Sequence, residues 1–235
     1  MMIITGDIHG FEDTDGASRF SRKNKEWYSV LHSLTKEDYV IICGDFGLLW
    51  DNSRSELHWR EWLNNKPFTT LFIDGNHENF DMLYEYPTEN WNGGKIRRIS
   101  DSIFHLTRGQ VFEIEGRKIF TMGGAESHDK HRRTEGVSWW SQEMPTESDF
   151  EEARTNLERY NWNVDIVLTH SLPSSLQVTL YEDREIYPAN PLTDFLDEVY
   201  SKITFEKWYT GHYHLDGYLK ADQKIRIIYR MLREL

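Results

Sequence analysis

Tyr39-Val40-Ile41-Ile42-Cys43-Gly44-Asp45 is the stretch on which the fold turns. A continuous apolar run stopped by a glycine reads as a strand buried on both faces, and such strands belong to parallel sheets. Two similar runs flank it. Met2-Ile3-Ile4-Thr5 leads into Gly6-Asp7, and Thr69-Thr70-Leu71-Phe72-Ile73 leads into Asp74-Gly75. Between the first two, Phe20, Trp27, Val30, Leu31 and Leu34 recur at roughly helical spacing, which predicts an amphipathic helix over about 18–34. Between the second pair, Ser53-Arg54-Ser55-Glu56 is a capping box that opens a helix carrying Leu57, Trp59, Trp62 and Leu63. Strand, helix, strand, helix, strand at these lengths predicts two βαβ crossovers and a parallel sheet.

Beyond residue 100 the pattern changes. Ile103 to Leu106 and Val111 to Met122 alternate apolar and polar residues, with Glu115-Gly116 as a turn, so a hairpin and a second, antiparallel or mixed sheet are expected. Asp129 to Ser138 reads as a polar loop. Thr146-Glu147-Ser148-Asp149 caps a helix running to about Tyr160, and Val164 to Leu168 is a buried strand ending at His170. An irregular stretch over 173–191 precedes a short helix from about Thr193 to Tyr200. Trp208-Tyr209-Thr210 is another strand, and Lys224 to Tyr229 closes a final hairpin. Alternating strands and helices followed by hairpins predict an α/β (α+β) fold: two stacked sheets flanked by helices, in one domain over residues 1–235.

The length of 235 residues suits one domain with a sizeable core. Cys43, the single cysteine, cannot form an internal disulfide and reads as a small buried hydrophobe. No signal-like segment stands at the N-terminus and no apolar run is long enough to span a bilayer, so no membrane association is expected and a reducing cytoplasm is the default location. A formal net charge of −12 argues against broad nucleic-acid binding, but leaves room for a nucleotide in a locally positive pocket.

Five short blocks each follow an apolar run with metal-binding residue types: Gly6-Asp7-Ile8-His9-Gly10, Gly44-Asp45, Gly75-Asn76-His77-Glu78, Thr169-His170 and Gly211-His212-Tyr213-His214. Ligand sites in open α/β sheets gather outside the carboxyl ends of the strands, so five strand ends delivering ligands predict one converging site. Asp7 and His9, like His212 and His214, are two residues apart and would share a side of an extended segment. Oxygen and imidazole donors without thiolates suit six-coordinate divalent cations: Mn²⁺ first, with Fe, Zn²⁺ or Ni²⁺ as alternatives. Two such ions, offset by Asp7, Asp45 and a bridging hydroxide, retain one net positive charge for an anionic phosphoryl group. No side-chain nucleophile stands out.

The ordered set Asp-x-His, Gly-Asp, Gly-Asn-His-Glu, His and Gly-His-x-His resembles the calcineurin-like metallophosphoesterase superfamily, over Asp7 to His214. The resemblance implies an αββα sandwich of two mixed sheets with a binuclear metal centre at its edge. It implies Asp7, His9 and His214 on one metal, Asn76, His170 and His212 on the other, and Asp45 bridging both. A bridging hydroxide would be the nucleophile, and His77 the general acid that protonates the leaving alkoxide.

One departure bears on substrate. The phosphoprotein phosphatase branch continues its Gly-Asp block into Asp-Arg-Gly, whereas Gly44-Asp45-Phe46-Gly47 continues here into Leu48-Leu49-Trp50. A protein phosphatase is therefore disfavoured, and phosphodiesters or small nucleotides rise in rank. A non-catalytic scaffold of the same fold, or a nuclease with the same chemistry, is the alternative. Among the remaining candidates, His32, His58 and His105 read as packing or surface residues. Arg132 and Arg133, in the polar loop with His128 and His131, are candidates to grip substrate. Trp139-Trp140 reads as core or lid packing rather than a stacking platform, and the helix around Glu147 to Glu158 as a solvated face. The sequence leaves the oligomeric state open.

Overall fold

Two sheets stack face to face in the computed structural model, which describes residues 1–11, 14–180 and 188–235. The strands are β1 (Met2–Thr5), β2 (Tyr39–Cys43), β3 (Thr69–Ile73), β4 (Thr88–Trp91), β5 (Gly94–Ser100), β6 (Ile103–Leu106), β7 (Gln110–Ile114), β8 (Arg117–Met122), β9 (Ile166–Thr169), β10 (Lys207–Thr210), β11 (Gly217–Tyr218), β12 (Ile225–Ile227) and β13 (Arg233–Glu234). The helices are α1 (Thr14–Arg19), α2 (Tyr28–Ser33), α3 (Arg54–Asn64), α4 (Phe80–Glu85), α5 (Glu147–Arg159), α6 (Ser174–Gln177) and α7 (Pro191–Lys202).

The first sheet has the order β13-β1-β2-β3-β6-β5-β4 and the second β11-β12-β10-β9-β8-β7. β1, β2, β3 and β6 pair in parallel, as do β8, β9, β10 and β12, and antiparallel strands complete each sheet. Both sheets are mixed, as expected. Strand alternation sends one set of side chains between the sheets: Ile4, Ile41 and Leu71 meet Ile119, Ile166 and Leu168. The opposite faces pack under helices. Val40, Ile42 and Phe72 lie with Leu63 of α3 and Phe80 of α4, while Val167 and Trp208 lie with Leu157 of α5 and Leu196 of α7. Each fully buried aliphatic side chain contributes about 1.5–3 kcal/mol.

Several local expectations change in the structure. The single helix over 18–34 is instead α1 and α2, because Ser21 and Asn24 turn their side chains onto nearby backbone and break the helical ladder. Ser53 caps α3 by accepting from Glu56 N, but the Glu56 carboxylate reaches Trp50 N and Asp51 N rather than closing the box. At α5 the box is complete, with Thr146 and Asp149 as its two partners. β6 joins the first sheet, and β4 and β5 form an additional hairpin there, turned at Asn92-Gly93 with both φ values positive. The 173–191 stretch includes α6 and the start of α7, and its centre lies outside the described residues.

Candidate metal centre

The carboxyl ends of β1, β2, β3, β9 and β10 open onto one edge of the sandwich, and the five sequence blocks follow them directly. Asp7, His9, Asp45 and His214 offer ligand atoms that all lie within 4.8 Å of one another. His9 Nε2 is 3.1 Å from His214 Nε2 and 3.7 Å from Asp45 Oδ2, and His214 Nε2 is 3.3 Å from Asp7 Oδ2. On the other side, His170 Nε2 is 3.2 Å from Asp45 Oδ1, and the His212 ring stands edge-on to the His170 ring at 5.2 Å. Asn76 and His77 both donate backbone N–H to Asp45 Oδ1, at 3.0 and 2.9 Å. The other seven residues of the five sequence blocks' proposed site, Asp7, His9, Asn76, His77, His170, His212 and His214, therefore gather on the Asp45 side of this edge.

Their backbone is unusual. His9, Asp45, His212 and His214 all have φ between 45° and 70°, the left-handed region that costs non-glycine residues energy and concentrates at functional sites. The expected extended geometry of Asp7-x-His9 and His212-x-His214 is thus replaced by tight turns. His212 goes to the His170 side, while His214 stacks on Tyr229 at 4.4 Å and faces His9. Close approach explains two glycines. A Cβ on Gly44 would lie 2.0 Å from His170 Nδ1, and one on Gly75 would lie 2.1 Å from Asp45 Oδ1.

Electrostatics match a cation site. Burial alone would push the Asp45 carboxyl up, but His170, His77 and His9 hold it well below the usual carboxylate range. Burial alone would likewise depress His170, yet Asp45, Asp7 and the Cys43 carbonyl, which is 2.7 Å from Nδ1, raise it to about 10. Asn76 Oδ1 is buried without a hydrogen-bond partner. An orphaned carboxamide oxygen beside a group of carboxylates and imidazoles fits a divalent cation.

Several supporting partners escaped the sequence analysis, and Glu78 stood there only as part of the Gly75-Asn76-His77-Glu78 block. Asn76 Nδ2 donates to Ser127 Oγ at 3.2 Å, and Ser127 is gripped by Glu143, so the amide oxygen is left facing the cluster. The Glu78 carboxylate accepts from Phe46 N and Gly47 N at 2.7 and 3.1 Å and fixes the turn after Asp45; burial and the Asp45 charge push it up to about 8. Arg19 donates to the Gly6 and Asp7 carbonyls at 2.7 Å each. Under the Gly75 turn, buried Asp74 pairs with His105 at 2.9 Å and Arg108 at 2.7 Å, which gives His105 the structural role expected of it. Nothing in local sequence marks these partners, because each acts across a long chain separation.

His9, Gly47, Trp50, His77 and Arg133 line a cavity of about 240 Å³ beside the cluster. The Trp50 ring is braced edge-on by buried Trp140 at 5.1 Å, so Trp140 packs, as expected. Arg133 is held by Asp129 at 2.7 Å and by the Ser138 carbonyl at 3.2 Å, while Arg132 is exposed and does not line the cavity. Leu48 and Leu49 are buried in the core, where they cannot reach a substrate.

The sequence matches the family model for calcineurin-like phosphoesterases over residues 2–216. It is 24% identical over 167 residues to a lariat debranching enzyme of Schizosaccharomyces pombe, an alignment that covers 63% of this chain and 34% of that protein. Its fold is similar to that of a provisionally assigned 5′-nucleotidase from Staphylococcus aureus solved with alpha-ketoglutarate, at a TM-score of 0.50 and 17% identity, over 97% of this chain and 48% of that one. A phosphopantetheinyl hydrolase from Mycobacterium tuberculosis aligns at a TM-score of 0.44 and 16% identity, over 97% of this chain and 87% of that one. The chain thus spans about a third of the curated relative's length.

Proposed function

The chain belongs to the calcineurin-like phosphoesterase family, and on that premise we propose that it is a metal-dependent hydrolase of phosphate esters, acting on phosphodiesters or small nucleotides. The convergence of Asp7, His9, Asp45 and His214 within 4.8 Å carries this reading. In it, Asp7, His9 and His214 would hold one divalent cation, Asn76, His170 and His212 would hold a second, and Asp45 would serve both. Bound there, the two ions supply positive charge against the phosphoryl oxygens and lower the pKa of water. Mn²⁺ is the first candidate for an all-oxygen-and-imidazole set.

His77 is the general acid. Its backbone is pinned on Asp45 Oδ1, its ring stands edge-on to His9 at 4.9 Å, and it lines the cavity where a leaving group would sit. As the oxygen of a water molecule bonds to phosphorus and the P–O bond to the leaving group breaks, His77 would deliver a proton to the leaving oxygen. Arg133 holds a non-reacting phosphate oxygen, and Trp50 offers an apolar wall to the leaving group. This cavity, with an aromatic ring and a cation beside the acid, supports an organic leaving group such as a nucleoside. A scaffold role has less support, because it gives no reason for an acid next to a complete donor set.

The dependence of rate on the leaving group tests the proposal. With Mn²⁺-loaded protein, His77→Asn should reduce turnover of alkyl phosphodiesters by about 10²–10⁴-fold. Turnover of bis-p-nitrophenyl phosphate should suffer far less, since p-nitrophenolate leaves without a proton. Equal losses on both esters would remove His77 from the acid role. Comparison of bis-p-nitrophenyl phosphate with p-nitrophenyl phosphate separates a diesterase from a monoesterase.

A further inference from the structure

Arg226, at the centre of β12, is only 5% exposed, and its Nε is buried without a hydrogen-bond partner. Ile225 and Ile227 on either side pack into the core under α5 and α7, so strand alternation turns Arg226 to the face that looks toward the first sheet. Its neighbours there are aromatic. Tyr209 is its register partner on β10, and Tyr218 its partner on β11, with the Tyr218 ring centroid 3.8 Å from the guanidinium carbon. A buried guanidinium nitrogen without an acceptor costs free energy, and natural proteins seldom leave one so.

Three more cations share its surroundings. Arg117, Lys207 and Arg233 line the same cavity as Arg226, with a volume of about 270 Å³, and Arg233 Nε is also buried without a partner. Glu206 and Glu234 line it too, yet none of the four cations forms an ion pair among the described residues. Elsewhere cations of this chain find carboxylates, as Arg108 finds Asp74 and Arg154 finds Glu198. Four cations without an ion pair among the described residues, lining one hollow in a chain of net charge −12, outnumber its two glutamates and suit an anion.

The place is separate from the metal centre. Arg117, Ile166 and Lys207 begin β8, β9 and β10, whereas His170 and His212 follow the opposite ends of β9 and β10. At about 3.3 Å per residue the two ends are about 10 Å or more apart. Arg233 comes from β13 at the edge of the first sheet, so the hollow is bounded by both sheets.

We propose that the cavity formed by Arg117, Lys207, Arg226 and Arg233 is a second ligand site, specific for a small phosphate-bearing anion. The guanidinium groups supply forked donors that match phosphate oxygens, and Tyr218 and Tyr209 frame the rest of the ligand. The volume lies below the range of about 300–1,000 Å³ usual for drug-sized ligands, so it suits inorganic phosphate, pyrophosphate or a phosphate with a small organic group. The proposal stands whether or not the catalytic reading holds.

Calorimetric titration of the Mn²⁺-loaded full chain with inorganic phosphate, pyrophosphate and a nucleoside 5′-monophosphate tests it. Wild type should show two classes of site, one at the metal centre and one insensitive to chelation of the metal. Arg226→Met should retain only the chelation-sensitive one. Lys207→Gln, at the exposed rim where folding is not at issue, and Arg233→Gln, at a partly exposed position, should each weaken the second class by about tenfold or more. Tightest binding of inorganic phosphate would assign the site to a free oxyanion, and tenfold preference for either larger ligand would assign it to a phosphorylated molecule. In phosphate-free buffer Arg226→Met should melt no lower than wild type, while a hundredfold excess of ligand over its Kd should raise the wild-type Tm by about 5–10 °C and leave the chelated variant unmoved. A single chelation-sensitive site in wild type, or two sites surviving in all three variants, would overturn the assignment.

Discussion

Glu143 holds Ser127 through both of its donors, N to Oε1 and Oγ to Oε2, each at 2.7 Å. Ser127 can then only accept from Asn76 Nδ2, and the Asn76 oxygen, buried and otherwise partnerless, is left for the cluster. Ser127→Ala should therefore loosen the amide without removing any proposed ligand. Outer residues of this kind are worth about 10–100-fold in metal affinity or activity. Mn²⁺ titration of Ser127→Ala should show a loss of that size at one of two sites; unchanged affinity at both would detach Ser127 from the centre.

Arg133 lines the cavity with His9 and His77, and its charge should be felt in substrate binding more than in the chemical step. A charge-assisted hydrogen bond contributes about 1.5–3 kcal/mol, so Arg133→Ala should raise KM by about 10–100-fold with a smaller change in kcat. Arg132→Ala, at an exposed position off the cavity, should leave both constants within about twofold of wild type. Steady-state kinetics on a phosphodiester decide between them.

Asp74 is buried beneath the Gly75 turn, and His105 and Arg108 complete its hydrogen bonds. Removing the guanidinium with Arg108→Met strands a buried carboxylate and should cost about 3–5 kcal/mol in urea unfolding. Asp74→Asn added to Arg108→Met should recover part of that loss. A double variant as unstable as the sum of the singles would contradict the pairing.

Arg154 of α5 reaches Glu198 of α7 through Nε and Nη2, at 3.1 and 2.8 Å, and together with Lys202 lowers the Glu198 carboxyl to about 2. A depressed carboxyl contributes stability above its unfolded pKa near 4.3 and loses it as pH falls toward 2. The pair is largely solvated, so Glu198→Gln should cost less than about 1 kcal/mol at pH 7. That difference should shrink toward zero between pH 4.5 and 2 in chemical denaturation. A penalty that grew on acidification would reverse the sign.

The architecture was legible where pattern is local. The apolar run at Tyr39–Cys43, the cap at Thr146 and the Glu115-Gly116 turn each fix their element within a few residues, and the structure has β2, α5 and the β7–β8 hairpin there. The order of the five blocks was legible for the same reason, since each follows a strand. Asn92-Gly93 carried an equally good hairpin signal between Trp91 and Lys95, but β4 is largely exposed and polar and β5 buries only Gly94, Ile96 and Ile99, so periodicity did not point to them. The turns at His9, His212 and His214 were illegible because positive φ in non-glycine residues is imposed by the surrounding fold, not by local preference. Glu143, Ser127 and Arg226 were illegible because their meaning depends on which distant strands become neighbours.

If Asp45 serves two divalent cations in ester hydrolysis, metal uptake and turnover must both depend on its carboxylate. Metal-stripped protein titrated with Mn²⁺, with hydrolysis of bis-p-nitrophenyl phosphate followed in parallel, tests it most directly. Wild type should take up two equivalents of Mn²⁺ with activity that rises with their uptake, and Asp45→Asn should lose both the paired uptake and turnover. Wild type that takes up no metal, or Asp45→Asn that hydrolyses the ester as fast as wild type, would contradict it.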